Sequence, residues 1–457
     1  MIPIVTPAEM AAIDAAAPVP VAALVERAGA AVARAAVDLL GGTYGRRVAV
    51  IAGKGNNGAD GRAAATRLQR RGVRCVVLEP DIAALPVEVD LVIDAAYGTG
   101  LSRPYDFPAV PEGVPVLAVD IPSGVDGLTG ARLGSPPAAD RTVTFAALKP
   151  GLLLEPGREL SGEVVVADIG LDTGDATIDL VEGSDVADWL PVPAATVHKW
   201  HHAIRIIGGS STMTGAPRLA ARSAQRLGAG YVQMAIPGRD GVDDPVEAVG
   251  YSLPASAWGA AAVADLDRVA AVLVGPGLGP GHDVDVATVL GVDRPLVLDG
   301  DALQPEFLDV IRDRAAPTVL TPHGGEFARL AGHTTTDPIA ATRELAASVR
   351  AVVVHKGPTT IVADPDGPVL VVANGGPALA TAGTGDVLAG AITALLAQGV
   401  DPLRAAASAV WLHAEAGREQ VGLVASDLPD RVALLLGEGC GRGVGGGGGG
   451  SGGAGGR

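Results

Sequence analysis

Ala380-Thr381-Ala382-Gly383-Thr384-Gly385-Asp386-Val387-Leu388-Ala389-Gly390 is a glycine-rich turn running into a helix, with a carboxylate in its first helical turn. Ile392, Leu395 and Leu396 carry the apolar pattern onward, so a buried helix is expected after Asp386. Backbone N–H groups that open a helix gather positive potential and stabilise a phosphoryl group or a developing oxyanion. A carboxylate at the same place is poised to take a proton from a hydroxyl. Together these features describe a site where an alcohol is activated beside a phosphate. A helix cap behind a flexible loop is the plain alternative, and the surrounding sequence decides between them.

Outward from that stretch, the second half repeats one pattern, a short apolar run ending in a glycine-rich or polar turn. Strands are expected at 204–207, 271–274, 295–298, 318–320, 351–355 and 360–363. The turns read Gly208-Gly209-Ser210-Ser211, Gly275-Pro276-Gly277-Leu278-Gly279 and Asp299-Gly300-Asp301-Ala302-Leu303. Thr321-Pro322-His323-Gly324-Gly325-Glu326 and His355-Lys356-Gly357-Pro358-Thr359-Thr360 follow. In open α/β sheets ligands bind at such strand ends. One of these turns alone would be structural; the ordered series points to a site.

The first half has a related rhythm. Residues 1–40 read as helical, with Thr6 and Glu9 at capping-box spacing. Leu24, Ala28, Val32, Ala36 and Leu39 share one face of a second helix. Short apolar strands are expected near 47–52, 75–78, 91–94, 116–119, 142–145 and 164–167, with a helix from about 60 to 71. Continuous apolar strands alternating with helices mean parallel sheets covered on both faces, an α/β fold. The turn Gly53-Lys54-Gly55-Asn56-Asn57-Gly58-Ala59-Asp60-Gly61 follows the first of these strands. It lacks the Lys-Ser/Thr of a P-loop and is no clean dinucleotide fingerprint. Its amides and backbone N–H groups suit a phosphate, ribose hydroxyls or a monovalent cation. Asp94 through Pro104 and Asp120-Ile121-Pro122-Ser123-Gly124 end two further strands.

Size and composition bound the rest. A chain of 457 residues exceeds one ordinary core, so two domains are expected. A formal charge of −17 argues against nucleic acid or an anionic membrane as partner. Cys75 and Cys440 lie far apart without metal-ligand spacing, which fits a reducing cytoplasm. No signal segment or spanning helix is expected. Among 34 basic residues the only lysines are Lys54, Lys149, Lys199 and Lys356. In so arginine-rich a chain, a lysine can mark a place that needs a compact ammonium. An acidic, irregular stretch over 171–197 reads as a linker, and the glycine-rich end at 441–457 is expected to be disordered.

The second half resembles the ribokinase-like superfamily, and within it the ADP/ATP-dependent NAD(P)H-hydrate dehydratases. The resemblance covers about residues 198–430. Its marks are Gly208 to Ala216, Gly275–Gly279, Leu298-Asp299-Gly300-Asp301-Ala302-Leu303, the Thr-Pro-His and His-Lys-Gly-Pro-Thr-Thr turns, and Asn374–Asp386. Thr214 and Gly300 depart from the usual pattern. The resemblance implies Asp386 as general base, with hydrate contacts at Ala216, Gly277, His323 and Asp386. It implies nucleotide contacts at Lys356, Gly357, Pro358, Thr359, Thr360 and Gly385, with ADP or ATP as co-substrate and Mg²⁺ accompanying it.

The first half is similar to the NAD(P)H-hydrate epimerase domain over about residues 1–175. That similarity implies K⁺ at Asn57, Asp94 and Ser123. It implies hydrate contacts at Asn56, Asn57, Gly58, Ala59, Asp60, Gly98, Thr99, Gly100, Leu101, Ser102, Arg103, Pro104 and Asp120. Asp120 is the acid/base candidate, and Ala59 stands where the family has glycine. The expected architecture is a Rossmann-like three-layer sandwich over 1–183 and a ribokinase-like three-layer sandwich over 184–440. The implied function is repair of hydrated NADH and NADPH (NADHX and NADPHX) by a cytoplasmic homo-oligomer. The alternative is a ribokinase-like small-molecule kinase carrying a non-catalytic nucleotide-binding domain.

Overall fold

The computed structural model describes residues 1–437 apart from 86–87, 175, 193, 242–243 and 419–420. The glycine-rich end and Cys440 lie outside the described residues. Two sheets organise the chain, one of six strands and one of eleven among the described residues.

The six-stranded sheet is parallel throughout. Its order is Arg74–Leu78, Arg47–Ala52, Leu91–Ala95, Val116–Val119, Arg141–Phe145, Glu163–Ala167. The helices Val21–Leu40 and Asn56–Arg70 lie together on one face, burying Leu24, Ala28, Val32 and Ala36. A side chain at Gly29 would come within 2.5 Å of the Ala63 methyl, so glycine sets how closely the helices approach. The second helix begins at Asn56, not near residue 60 as expected, because Gly55 serves as its N-cap. The two asparagines therefore occupy its first turn. The capping box at Thr6 forms: its hydroxyl accepts the Glu9 N–H at 3.2 Å and Glu9 accepts the Thr6 N–H at 2.7 Å.

The larger sheet runs parallel from Val352–His355 through Thr318–Leu320, Leu296–Leu298, Ala271–Val274, Ala203–Ile207 and Tyr231–Ala235 to Val249–Gly250. Thr360–Ala363 and Val369–Val372 extend it antiparallel. Beyond these, Ile178–Leu180 pairs parallel with Val369–Val372, and Ile2–Ile4 pairs antiparallel with Ile178–Leu180. The stretch read as a linker thus contains a strand and a helix, Gly183–Trp189. Residues 2–4, read as helical, are an edge strand of the second sheet. Helix Thr384–Ala397 is almost wholly buried, packed on Gly215–Arg226 so tightly that a side chain at Gly390 would strike the Ala220 carbonyl at 2.1 Å. Among the described residues no helix is long and apolar enough to cross a membrane.

Candidate active sites

At the C-terminal ends of the six parallel strands lies a cavity of about 1100 Å³. Asn56, Asn57, Asp60, Gly98 through Arg103 and Asp120 line it; Gly58, Ala59 and Pro104 are not among its lining residues. Gly58 instead faces inward, where a side chain would meet the Gly53 carbonyl at 1.8 Å. The glycines let backbone pack on backbone, and the wall is left to the amide side chains and carboxylates.

Asp120 ends its strand with φ of 68°, a left-handed conformation that L-residues rarely take. Its carboxylate accepts from the Lys149 ammonium at 2.8 Å and the Thr144 hydroxyl at 3.2 Å, and the second oxygen faces the Thr99 N–H at 3.4 Å. Lys149 is 1% exposed and also donates to the Thr144 hydroxyl at 2.7 Å and the Phe145 carbonyl at 3.0 Å. Asp60 shares the cavity and is pushed up to about 8, by burial first and then by Asp120 and Asp14. Asp14 is itself raised by burial, with Lys149 opposing and Asp120 reinforcing. The wall therefore offers an ion-paired carboxylate and a carboxyl that keeps its proton at neutral pH. Lys149 and Asp14 are not in the set expected from sequence. The scarcity of lysine was the available signal for the first.

Asp94 is wholly buried and accepts from the Ser123 hydroxyl at 2.6 Å, the Ser123 N–H at 2.7 Å and the Ala96 N–H at 3.3 Å. Burial raises its pKa to about 6 against those hydrogen bonds. The Asn57 amide has both polar atoms buried and unpartnered. Buried amide, hydroxyl and carboxylate oxygens make a hard-donor set that fits a monovalent cation. No cluster of three or more His, Cys, Asp or Glu suited to a metal occurs among the described residues.

The second constellation surrounds the start of helix Thr384–Ala397. Its N-cap, Gly383, sits at φ of 92° with no side-chain cap, so the first N–H groups stay available. Lys356 pairs with Asp299 at 2.9 Å, and Thr321 donates to the same Asp299 oxygen at 2.6 Å. A methyl on Gly385 would lie only 3.4 Å from the Lys356 ammonium, so lysine and helix mouth meet at one point. Asp386 is pushed up to about 7, by burial and then by Asp299, with Lys356 opposing and Asp301 reinforcing. Asp301 accepts the Gly279 N–H at 2.8 Å, which fixes the turn beside Gly277.

His323 bridges to Lys356 strand-fashion and caps its own helix, accepting the Gly325 and Glu326 N–H groups at 3.0 and 3.3 Å. A side chain on Gly277 would touch the Ala216 methyl at 3.0 Å. The separate sequence marks Ala216 and Gly277, and His323, Lys356 and Gly385, are thus drawn into neighbouring contacts. Thr359 and Pro358 face the first half instead. The Thr359 hydroxyl donates to the Leu153 carbonyl at 2.5 Å, and the Pro358 carbonyl accepts from Arg158 at 3.1 Å. His413, not found from sequence, is buried on helix Pro402–Gly417, which packs against Thr384–Ala397, and burial pulls it down to about 4.

Comparisons with known proteins agree on both halves. Residues 204–429 match the NAD(P)H-hydrate dehydratase family, and residues 21–85 and 80–151 match the YjeF-related protein N-terminus. A bifunctional NAD(P)H-hydrate repair enzyme of Mycobacterium leprae is 38% identical in an alignment that covers 82% of this chain and 84% of that protein. One of Moorella thermoacetica is 35% identical in an alignment that covers 95% of this chain and 96% of that protein. A ribokinase-like superfamily protein of Enterococcus faecalis, 21% identical with a TM-score of 0.50, covers 57% of this chain and 96% of its own, a likeness of fold alone. With identity of this order along nearly its whole length, the chain belongs to the bifunctional NAD(P)H-hydrate repair enzymes.

Proposed function

We propose that the helix mouth at Gly383–Asp386 dehydrates the S-hydrate at the expense of ADP, while the cavity around Asp120 interconverts the R and S forms. In this reading residues 1–183 and 184–440 are the epimerase and dehydratase units.

The hydrate carries a hydroxyl on C6 of the reduced ring, and hydroxide is a poor leaving group. Asp386 takes the hydroxyl proton as the oxygen attacks the terminal phosphoryl of ADP, and AMP departs. Lys356 and the N–H groups at the start of the helix hold the phosphoryl charge during transfer. The ring nitrogen's lone pair then expels phosphate, C5 loses a proton, and the reduced nicotinamide is restored. ATP is a competent alternative donor, and Mg²⁺ accompanies the nucleotide as counter-ion to its phosphates. What carries the reading is the meeting of the Lys356 ammonium with Gly385, beside an Asp386 held near neutral pH.

In the cavity, Asp120 acts as the acid/base for interconverting the epimers, its carboxylate paired with Lys149. Asn57, Asp94 and Ser123 would hold K⁺, which supplies a fixed positive charge near bound substrate.

The test supplies purified full-length protein with S-hydrate and ADP or ATP in turn. Recovery of reduced-nicotinamide absorbance together with AMP or ADP and phosphate is expected. A stable phosphorylated substrate would instead make the second half a kinase. Pure R-hydrate given without nucleotide should equilibrate faster than it does alone; no acceleration would leave the first half a binding module.

A further inference from the structure

Arg158 belongs to the first half, on the short helix Gly157–Ser161, yet its guanidinium reaches across the seam. One nitrogen donates to the Pro358 carbonyl and another to the Gly375 carbonyl, both at 3.1 Å. These carbonyls sit on different loops. Pro358 follows strand Val352–His355, and Gly375 follows strand Val369–Val372. A planar fork with fixed donor spacing suits two acceptors on separate segments, which a lysine does not match. Beside the Gly375 loop lies an open groove of about 550 Å³ lined by Leu152, Leu153, Arg158, Asn374, Gly375 and Pro377. The Gly375 loop borders this groove on one side, so hydrogen bonds across the seam matter more to its shape.

The geometry points to Arg158 as a positioning residue of the dehydratase, supplied by the epimerase half, that sets the two loops for nucleotide binding. The inference rests on the nucleotide site proposed at Lys356, with the contacts the resemblance implies at Gly357–Thr360 made through the loop backbone, since the Thr359 hydroxyl is turned to Leu153. Arg158 touches no reacting atom. It fixes where the Gly357–Thr360 backbone presents itself to the nucleotide, and the Thr359 hydroxyl bond to Leu153 anchors the same loop a second time. The first half then serves both reactions, one through its own cavity and one through this clamp.

Steady-state dehydration of S-hydrate by full-length Arg158→Ala and Arg158→Lys tests the clamp, with ADP varied and R-hydrate epimerisation and thermal melting measured alongside. Expected for Arg158→Ala is a rise of about tenfold in KM for ADP, the size of losing hydrogen bonds from a charged donor. Unchanged kcat, epimerisation and melting temperature should accompany it, the pattern of lost binding alone. Arg158→Lys should fall between the two. Unaltered KM for ADP overturns the inference, as does a drop in melting temperature with both activities falling together. Lys356→Ala serves as reference. If it raises the KM for ADP and Arg158→Ala does not, only the clamp falls; if it too changes nothing, the nucleotide site itself is wrong and the clamp goes with it.

Discussion

The two sites use the same parts in opposite ways. Each joins a lysine–aspartate pair at strand ends to a second carboxyl raised by burial, near the uncapped start of a helix. In the first site Lys149 pairs with Asp120, the candidate acid/base itself, and Asp60 is left protonated. In the second, Lys356 pairs with the neighbouring Asp299, and Asp386, at a pKa of about 7, has no direct ion pair among the described residues. The difference teaches which proton each site can move. One wall offers a neutral donor beside a fixed carboxylate; the other offers a base that loses its proton near the working pH.

The largest expected effect breaks the second site. Asp386→Ala should lower ADP-dependent dehydration of S-hydrate by about 10²–10⁴-fold, the usual worth of a general base, with epimerisation untouched. A coupled assay with each epimer reads both activities. Equal loss of the two reactions would mean a folding defect.

Asp120→Asn is expected to slow epimerisation by about 10²-fold, at the lower end because the remaining wall still binds the substrate, while S-hydrate is dehydrated normally. Lys149→Ala attacks the same pair from the other side. With Lys149 1% exposed and the Asp120 side chain 15% exposed, losing one partner strands a buried charge. Stability should fall by about 3 kcal/mol, as seen in urea denaturation. Lys356→Ala likewise strands a buried charge, Asp299 with its side chain 6% exposed, and should cost about as much.

The smallest effect sharpens the contrast. Asp60 binds its proton more tightly folded than unfolded, since its pKa rises from 3.8 to about 8. Stability is therefore lost as pH climbs across that window. Asp60→Asn keeps the shape and removes the titration. It should melt higher than the parent near pH 8, and thermal scans at pH 6 and about pH 8 would check that the gain grows with pH.

Much of this could be read from the chain. The parallel strands announced themselves as apolar runs, and the glycine-rich turns marked where those strands end. What escaped was non-local. Ile2–Ile4 and Ile178–Leu180 are each three residues long, and they gain strand character only by pairing with an edge some two hundred residues away. Lys149 had a compositional hint. Arg158 had none, being one arginine among many until the fold brought it to Pro358 and Gly375. Asp60 looked like an ordinary polar residue at a turn, and burial beside Asp120 and Asp14 gave it a different proton affinity.

The most direct test of the account is the pH dependence of kcat/KM for S-hydrate with ADP saturating. The reactive form carries Asp386 deprotonated, so the rate should rise with pH through an ionisation near 7, and that limb should disappear in Asp386→Ala. A rate that stays flat across about pH 5–8 in the parent, or a limb that survives in Asp386→Ala, would contradict the proposed base.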